Sequence, residues 1–577
     1  MGNKLFNQYN IDKKPFLTGG YLNMWKIHKA THKDRKQDAC IFVFDKKQLE
    51  PYSPQNREGI LNILRKEASS LIKYKHPSIL GIFEPLAEDK QTMGFVTEPF
   101  EYSLSSWYEQ IKPSKLEIKL MITELCKVIC FLHEDAHVIH SNINPEVIFI
   151  DKANKIKIGG MNFAIDDPPV SGAEVLYNNT SVPNLNYTAP ELIFENKAFF
   201  TSDTFNVGLI IFSMLELHKG NSQYKNLINL SSNTIENYKA MYGQIDSKLG
   251  RTNFDSDDMS ILYTTLNRTA SSRPKPRDLL DGQWFNDPKL KALYFVENFA
   301  ANDMNKNVEF LSKFPKIAGM FEHKLITQRF FPCILGALKN EQLINAALPA
   351  VFSICENPEL KMSFATSLWP RLKEIFQMKS IPAASLYFLL KKIPYIADNT
   401  SNSEFSGNFL NLICKALDCN VQKIQIVVVK NLDVIAKKID SLAFKNQIYP
   451  RMIKMCTDNS PSSFKVEILL KLKTLYTKLD QTIINDSLLT NLEKIRKIDN
   501  STEVCICIAN FYEEISKVAT VEAIGNKILP NVVQILLAGR ISRSSFEALM
   551  RLVQNFLDKI RKAREKELTD DISKFSG

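Results

Sequence analysis

The sequence contains no C-x-x-C pair, no H-E-x-x-H or related histidine spacing, and no uninterrupted apolar run of membrane-spanning length. The first two absences leave neither a zinc or other metal site nor a disulfide framework indicated. The ten cysteines, mostly inside apolar periodic segments as Cys126 and Cys130 are, therefore read as reduced core residues of a cytoplasmic protein. The third excludes a transmembrane helix: the longest apolar stretches, such as 207–217, carry polar breaks and fall short of the roughly 20 residues a bilayer needs. No apolar core near the N-terminus suits a cleavable signal. Met1-Gly2-Asn3-Lys4-Leu5-Phe6 opens like a myristoylation site but has Phe6 where Ser or Thr is expected. Charge excess is also small, +10 over 577 residues, which weakly favours acidic partners or an anionic membrane face and implies no nucleic-acid role. With 45% hydrophobic and 24% charged residues, the composition is that of a folded chain long enough for several domains, or for one compact domain and an extended array.

What is present first is a frame. His140-Ser141-Asn142-Ile143-Asn144-Pro145-Glu146-Val147-Ile148-Phe149, followed by Lys157-Ile158-Gly159-Gly160-Met161-Asn162-Phe163, has the layout of a protein-kinase catalytic centre: a turn, a short strand pair, a metal-binding turn. An active kinase reads H-R-D-x-x-x-x-N and then D-F-G here; the first Asp takes the substrate hydroxyl proton, and the Asn and second Asp hold magnesium. The aligned residues are Asn142, Val147 and Gly160. An amide is a very poor proton acceptor, and neither valine nor glycine ligates a hard cation. The lysine that should pair the nucleotide phosphates aligns with Phe42 in the strand 39–45, which would put hydrocarbon on the adenine side of the cleft. Its usual partner, Glu67 on the helix 58–73, is then expected to be solvated or re-paired locally. Of the phosphate-covering G-x-G-x-x-G only the middle glycine survives, within Thr18-Gly19-Gly20-Tyr21-Leu22; Leu17 and Leu22 replace the others, and Gly19-Gly20 reads more simply as a hairpin turn. No nucleotide or metal cofactor is expected.

Other parts of the pattern are intact. Apolar residues at helical spacing from Leu120 to Leu132 give the helix that precedes a catalytic loop. Ala189-Pro190-Glu191 matches A-P-E, 203–208 matches D-x-x-x-x-G, and Arg273 stands where an arginine pairs with the A-P-E glutamate. His140, Glu191, Asp203 and Arg273 are thus the residues expected to brace the fold. Chance resemblance would not spare the braces and lose the catalytic groups as sets. A working kinase would need a compensating acid, and Glu146 is the only one between Ser141 and Phe149.

Past Trp284-Phe285 the pattern turns helical and repetitive. Phe331-Pro332-Cys333-Ile334, Trp369-Pro370-Arg371-Leu372, Tyr449-Pro450-Arg451-Met452 and Leu529-Pro530-Asn531-Val532 share one motif. Leu410-Asn411-Leu412 and Thr490-Asn491-Leu492 keep its phase without the proline. The anchors Ile334, Leu372, Leu412, Met452, Leu492 and Val532 are 38, 40, 40, 40 and 40 residues apart. That period is the one of HEAT or armadillo helix pairs, which must stack to bury their apolar faces. Proline suits the first turn of a helix, so each motif is read as a helix start. The expected fold is multidomain, α+β then all-α: a bilobal kinase-like domain over 1–290, connecting helices over 291–325, a HEAT-type α-solenoid over 326–560 and a charged, fraying tail over 561–577.

The combination resembles the SCYL (Scy-like) pseudokinases, which join a degenerate kinase domain to HEAT repeats, and among them the coated-vesicle-associated branch. The resemblance is carried by Gly19-Gly20, Trp25-Lys26-Ile27, Phe42-Val43-Phe44-Asp45-Lys46-Lys47, His76-Pro77, Thr97-Glu98-Pro99, His140 with Asn142, Ala189-Pro190-Glu191, Gln328-Arg329 and Pro332-Cys333. It implies a cytoplasmic scaffold, peripheral on Golgi, endosomal or coated-vesicle membranes, that binds coat or adaptor proteins in clathrin- and adaptor-dependent traffic. Animal relatives carry a flexible clathrin-binding tail beyond the repeats, whereas this sequence stops near the end of the array, so adaptor or membrane association is expected ahead of direct clathrin binding. A tRNA-binding scaffold, as another branch suggests, would require a basic stripe with exposed aromatics along the solenoid. The branch acting on the COPI coat has a basic C-terminal peptide that Lys574-Phe575-Ser576-Gly577 does not reproduce.

Overall fold

The computed structural model describes residues 7–575, apart from 179, 222–225, 359–363, 379, 420 and 538–540; the side chains beyond 568 are also left aside. The myristoylation-like start at 1–6 and the last two residues of the tail lie outside the described residues. The chain divides into two compact units, Met1–Glu297 and Asn298–Gly577. No described helix is long and apolar enough to cross a membrane, and all ten cysteines are unpaired.

The first unit begins as an antiparallel sheet. Its strands are β1 (Tyr9–Ile11), β2 (Leu17–Gly19), β3 (Trp25–His32), β4 (Asp38–Asp45), β5 (Ile82–Glu88) and β6 (Thr92–Thr97), in the order β1-β3-β4-β6-β5 with β2 also on β3. The register sets Phe42 beside Ile27 on one side and Phe95 on the other. Helix α1 (Pro54–Lys73) follows β4. Ser53 caps it by accepting from the Asn56 N–H, and Pro54 opens it with a ring already shaped for a first turn. Ile60, Ile63, Leu64, Glu67, Ala68 and Leu71 form its buried face at helical spacing.

The lower lobe is built on two helices. In α2 (Lys115–Cys130), Ser114 and Glu117 form a reciprocal capping box. The other, α3 (Phe200–His218), is buried almost all round. Between them lie the frame residues, carried by the paired strands Ile148–Ile150 and Ile156–Ile158. Both lobes share one apolar core running from Tyr21 to Leu290.

The second unit is a helical repeat array. All six sequence anchors, Ile334 to Val532, are buried. The residues expected to connect the lobes to the array already take part in it, since Met304–Ile317 packs on Ile344–Cys355. The charged tail continues the final helix, Arg543–Phe575. Neighbouring repeats are linked to one another: Tyr395 Oη donates to the Cys355 carbonyl at 2.8 Å, Lys445 pairs with Asp480 at 2.6 Å, and Tyr476 Oη donates to the Glu514 carbonyl at 3.1 Å. That nearest-neighbour pattern defines a solenoid.

One expectation changes. The repeat prolines do not start helices. Each lies inside a continuous helix, just past a five-residue π-turn: Ile326–Phe330, Phe364–Leu368, Phe405–Phe409, Phe444–Ile448, Ile484–Leu488 and Ile524–Ile528. Phe330, before Phe331-Pro332, keeps helical φ −72° and ψ −51°. A wide turn loosens the i to i−4 ladder locally, which accommodates a ring that has no N–H to donate. Leu410 and Thr490 stand at the proline position in the other two units, so the wide turn does not depend on proline. The true starts are capped by Ser401, Asp440, Asp480 and Thr520, again about 40 residues apart, each accepting from the N–H three residues on. These polar caps were visible in the sequence but masked by the more conspicuous prolines.

Leu372 and Leu412 have little or no exposed surface. Truncating either to alanine is expected to cost about 2–5 kcal/mol, read as a lowered midpoint for the unfolding transition of 298–577. A change below roughly 0.5 kcal/mol, typical of surface sites, would show that these side chains do not form the repeat core.

Candidate functional site: a filled kinase-type cleft

Asp203, at the start of α3, fixes the catalytic-loop turn. Its carboxylate accepts from the backbone N–H of His140 at 2.8 Å, from that of Ser141 at 2.9 Å, and from His133 Nε2 at 2.9 Å. Ser141 is thereby held at φ +59°, a left-handed conformation unusual for a non-glycine residue. His140 is fully buried. Its Nε2 donates to the Gly159 carbonyl at 2.9 Å, while Nδ1 accepts from the Asn142 N–H at 3.2 Å. Burial pushes this imidazole below its usual pKa, in keeping with a neutral ring that donates from one nitrogen and accepts at the other. Below the loop, Arg273 meets both Glu191 oxygens at 2.7 and 2.8 Å with neither side chain exposed, and Ser202 Oγ donates to the same carboxylate. A buried, bidentate and fully hydrogen-bonded pair of this kind is costly to break one partner at a time.

Asn142 is a node in a hydrogen-bond network. Its Nδ2 donates to the Gly160 carbonyl at 3.2 Å and to Asn162 Oδ1 at 3.1 Å; its Oδ1 accepts from Asn144 Nδ2 at 3.1 Å and from the Asn184 N–H at 3.3 Å. The cavity in front of it, about 330 Å³, is edged by Gly20, Asn23, Asn144, Asn184 and Asn233. No lysine or arginine lines it.

Val147 and Gly160 face each other. Gly160 sits at φ +65°, and a Cβ there would fall 2.4 Å from Val147 Cγ1 and 2.5 Å from its Cβ. The two positions where a kinase holds magnesium are therefore fitted to one another as a branched side chain against bare backbone. Among the described residues no cluster of three His, Cys, Asp or Glu side chains is arranged to hold a metal ion.

Phe42 lies inside the cleft with 1% of its surface exposed. Its ring stacks on Phe95 at 4.5 Å and meets Phe149 edge-on at 5.9 Å and Trp25 edge-on at 6.2 Å; Phe100 closes on Phe149 at 4.3 Å. Offset and edge-to-face pairs at these spacings add to the apolar burial. The space beside β4 and β6 is packed side chain, and a magnesium-bound nucleotide does not fit the residues present: the phosphates find no cation and the base meets phenylalanine.

The glycine loop differs from a two-residue hairpin. Residues Gly20 to Met24 connect β2 to β3 through a short 3₁₀ turn, Tyr21–Asn23, with Leu22 and Asn23 at positive φ. Tyr21 is buried against Phe163, and its hydroxyl donates to the Thr180 carbonyl at 2.7 Å. Glu67 is not solvated. It is buried, accepts from Trp25 Nε1 at 2.8 Å and from the Gly160 N–H, and burial raises its pKa to about 7. Trp25 has thus taken the lysine's place as its partner. Reading the sequence position by position assigned roles to Phe42 and Glu67 but none to Trp25, Tyr21, Phe95 or Phe100. The only signal for them is the density of aromatics in β3, β4 and β6.

The protein kinase domain family matches residues 24–285. Over 98% of its length the chain is 25% identical to "SCY1-like protein 2" of Homo sapiens and 22% identical to "Protein kinase-like protein SCY1" of Saccharomyces cerevisiae; it covers 63% and 76% of those proteins. Over 78% of its length it is 21% identical to a Dictyostelium discoideum protein described as a "Probable inactive serine/threonine-protein kinase scy1", of which it covers 46%. The chain thus spans less than two thirds of the human relative.

Two outcomes follow from this geometry. The Glu67 carboxyl binds its proton more tightly folded than unfolded, so ionising it costs stability as pH rises from about 4.5 towards 7. Glu67→Gln should therefore gain on the parent protein across that window, by up to about 3 kcal/mol, seen as a melting-temperature difference that widens from pH 5 to 8. A flat difference would mean that the carboxyl is already ionised at pH 5. Gly160→Asp should lose about 2 kcal/mol or more through overpacking and positive φ, and millimolar magnesium should not recover it. A magnesium-dependent recovery in the melting curve would overturn the fitted contact with Val147.

Proposed function

The chain belongs to the SCY1-like family of kinase-like proteins, and on that premise we propose that it is a catalytically inactive scaffold whose kinase domain is kept for its shape. The observation that carries this reading is the cleft. Phe42 and its aromatic neighbours occupy the nucleotide's space, while Asp203, His140 and the Glu191–Arg273 pair are retained with their bonds satisfied. Phosphoryl transfer depends almost wholly on positioning and on charge stabilisation around the γ-phosphate. Phe42, Asn142, Val147 and Gly160 remove the lysine, the base and both magnesium ligands from one transition state, so their losses compound without being separable.

The partners we propose are coat or adaptor proteins of clathrin-dependent traffic between Golgi and endosomes, bound through the HEAT-type solenoid with the protein peripheral on the membrane. The resemblance to the coated-vesicle-associated branch supports this assignment. A net charge of +10 over 577 residues does not by itself imply a tRNA partner.

Affinity capture of the intact chain followed by mass spectrometry should recover coat and adaptor proteins; recovery of tRNA-handling factors instead would replace the trafficking reading. In a thermal-shift titration, millimolar magnesium–ATP should leave the first unit's transition in place. A ligand at a hundred times its dissociation constant stabilises by about 2.7 kcal/mol, and a magnesium-dependent rise of that order, with phosphotransfer lost on mutating the pocket, would overturn the inactive assignment.

A further inference from the structure

Each repeat contributes a first helix to one layer and a second helix to another. The first helices are Trp369–Phe376, Leu410–Asp418, Tyr449–Thr457 and Leu489–Ile498. The second are Ala383–Lys391, Gln422–Lys430, Ser462–Leu475 and Thr502–Ile515, and each layer packs helix on helix along the array. The first layer holds eight Lys and Arg against three acids, the second six against four. Every acid of the first layer is already met by a cation: Glu374 by Arg371 at 2.8 Å, Asp418 by Arg451 at 3.0 Å and Glu493 by Lys497 at 2.6 Å. That leaves Lys415, Lys454 and Lys494. All three are exposed, and none forms an ion pair among the described residues.

Their placement is periodic. Each is the sixth residue of its helix, so three successive repeats present one ammonium from the same turn. Neighbouring helices pack about 8–10 Å apart, which makes the row roughly 16–20 Å long. The turns that end these helices expose apolar side chains: Val421 is 49% and Ile498 48% exposed. Lys423 and Asp458, exposed at the same turns, offset one another in charge. A row of ammonium groups beside apolar tips fits an anionic bilayer, whose headgroups meet the lysines while the tips enter the interface. Nucleic acid would answer the charge as well, but single strands also call for rings on which bases stack. The aromatics of these four helices, Trp369, Phe376 and Tyr449, are all buried.

We infer that the first-helix layer of the array docks on an anionic lipid surface through Lys415, Lys454 and Lys494. This rests on the peripheral placement proposed above and names the face and the lipid chemistry responsible for it. Attraction between exposed charges is screened by salt, so the contact is reversible and strengthens with the anionic content of the leaflet.

Co-sedimentation of the purified intact chain with vesicles tests it. The chain should sediment with phosphatidylcholine vesicles that contain about a third phosphatidylserine, stay in solution with phosphatidylcholine alone, and be released as salt rises. Lys415→Ala, Lys454→Ala and Lys494→Ala should each weaken binding about fivefold, and the triple change about a hundredfold. Lys391→Ala with Lys430→Ala removes exposed lysines of the second layer and should cost less than about twofold. Ile498→Asn should weaken binding at low and high salt alike, because apolar insertion is not screened. Circular dichroism melts establish that each variant is folded. Four results would each overturn the proposal: no sedimentation with the anionic vesicles, equal binding to neutral ones, a second-layer pair as costly as the row, or tRNA or polyglutamate bound through the row in preference to the vesicles. No coat protein is present in this mixture, so a failure here leaves the capture of coat and adaptor proteins to its own experiment.

Discussion

The carboxylate of Asp203 is the point from which the lower lobe hangs. By taking the backbone N–H groups of His140 and Ser141 and the ring of His133, it holds a loop segment in a left-handed turn that the sequence alone would not prefer. That turn presents His140 to the Gly159 carbonyl, and through it fixes the start of the 159–163 turn. Gly160 then falls against Val147, and its N–H against Glu67. A buried carboxylate that accepts three hydrogen bonds leaves those donors orphaned if it is removed, so it is costly to lose. The shape of the 140–142 turn is therefore held by these hydrogen bonds.

The space beside β4 and β6 is filled by side chains that fit one another. Removing the lysine alone would leave Glu67 as an unpaired buried acid beside a polar void. Here the void is filled by Phe42 stacked on Phe95, and Glu67 takes the indole N–H of Trp25. The space that a side chain at 160 would need is occupied by Val147. Phe42 and Val147 are met by apolar packing or close fit, and Glu67 and Asn142 by hydrogen bonds.

Much of this was legible in the sequence and some was not, for definable reasons. The frame residues and braces announce themselves by identity and spacing, and so do the apolar anchors of the repeats, because periodic burial leaves a periodic pattern. The sequence allowed that Glu67 would be re-paired, but its partner was not legible. Trp25 lies 42 residues from Glu67, and only the β3–β4 register and the seat of α1 bring them together. The mutual fit of Val147 and Gly160 was equally hidden, since each looked like a separate loss. The repeat prolines misled because proline has two comfortable places, a helix start and the far side of a wide turn. Local sequence does not distinguish the two unless the polar caps ten residues upstream are weighed against them.

Charge divides the chain as clearly as the fold does. The first 297 residues balance, with 35 Lys and Arg against 35 Asp and Glu, so the whole excess of ten positive charges lies in 298–577. Long-range attraction for an acidic surface, whether a protein's or an anionic leaflet's, therefore acts on the helical array and scarcely on the kinase-like unit. With Phe42 and its aromatic neighbours packed beside β4 and β6, a nucleotide could shift that unit between states only by binding one state better than another. The net charge that could draw an acidic surface therefore lies on the array. There a repeating nearest-neighbour architecture lets one face change without unseating the rest.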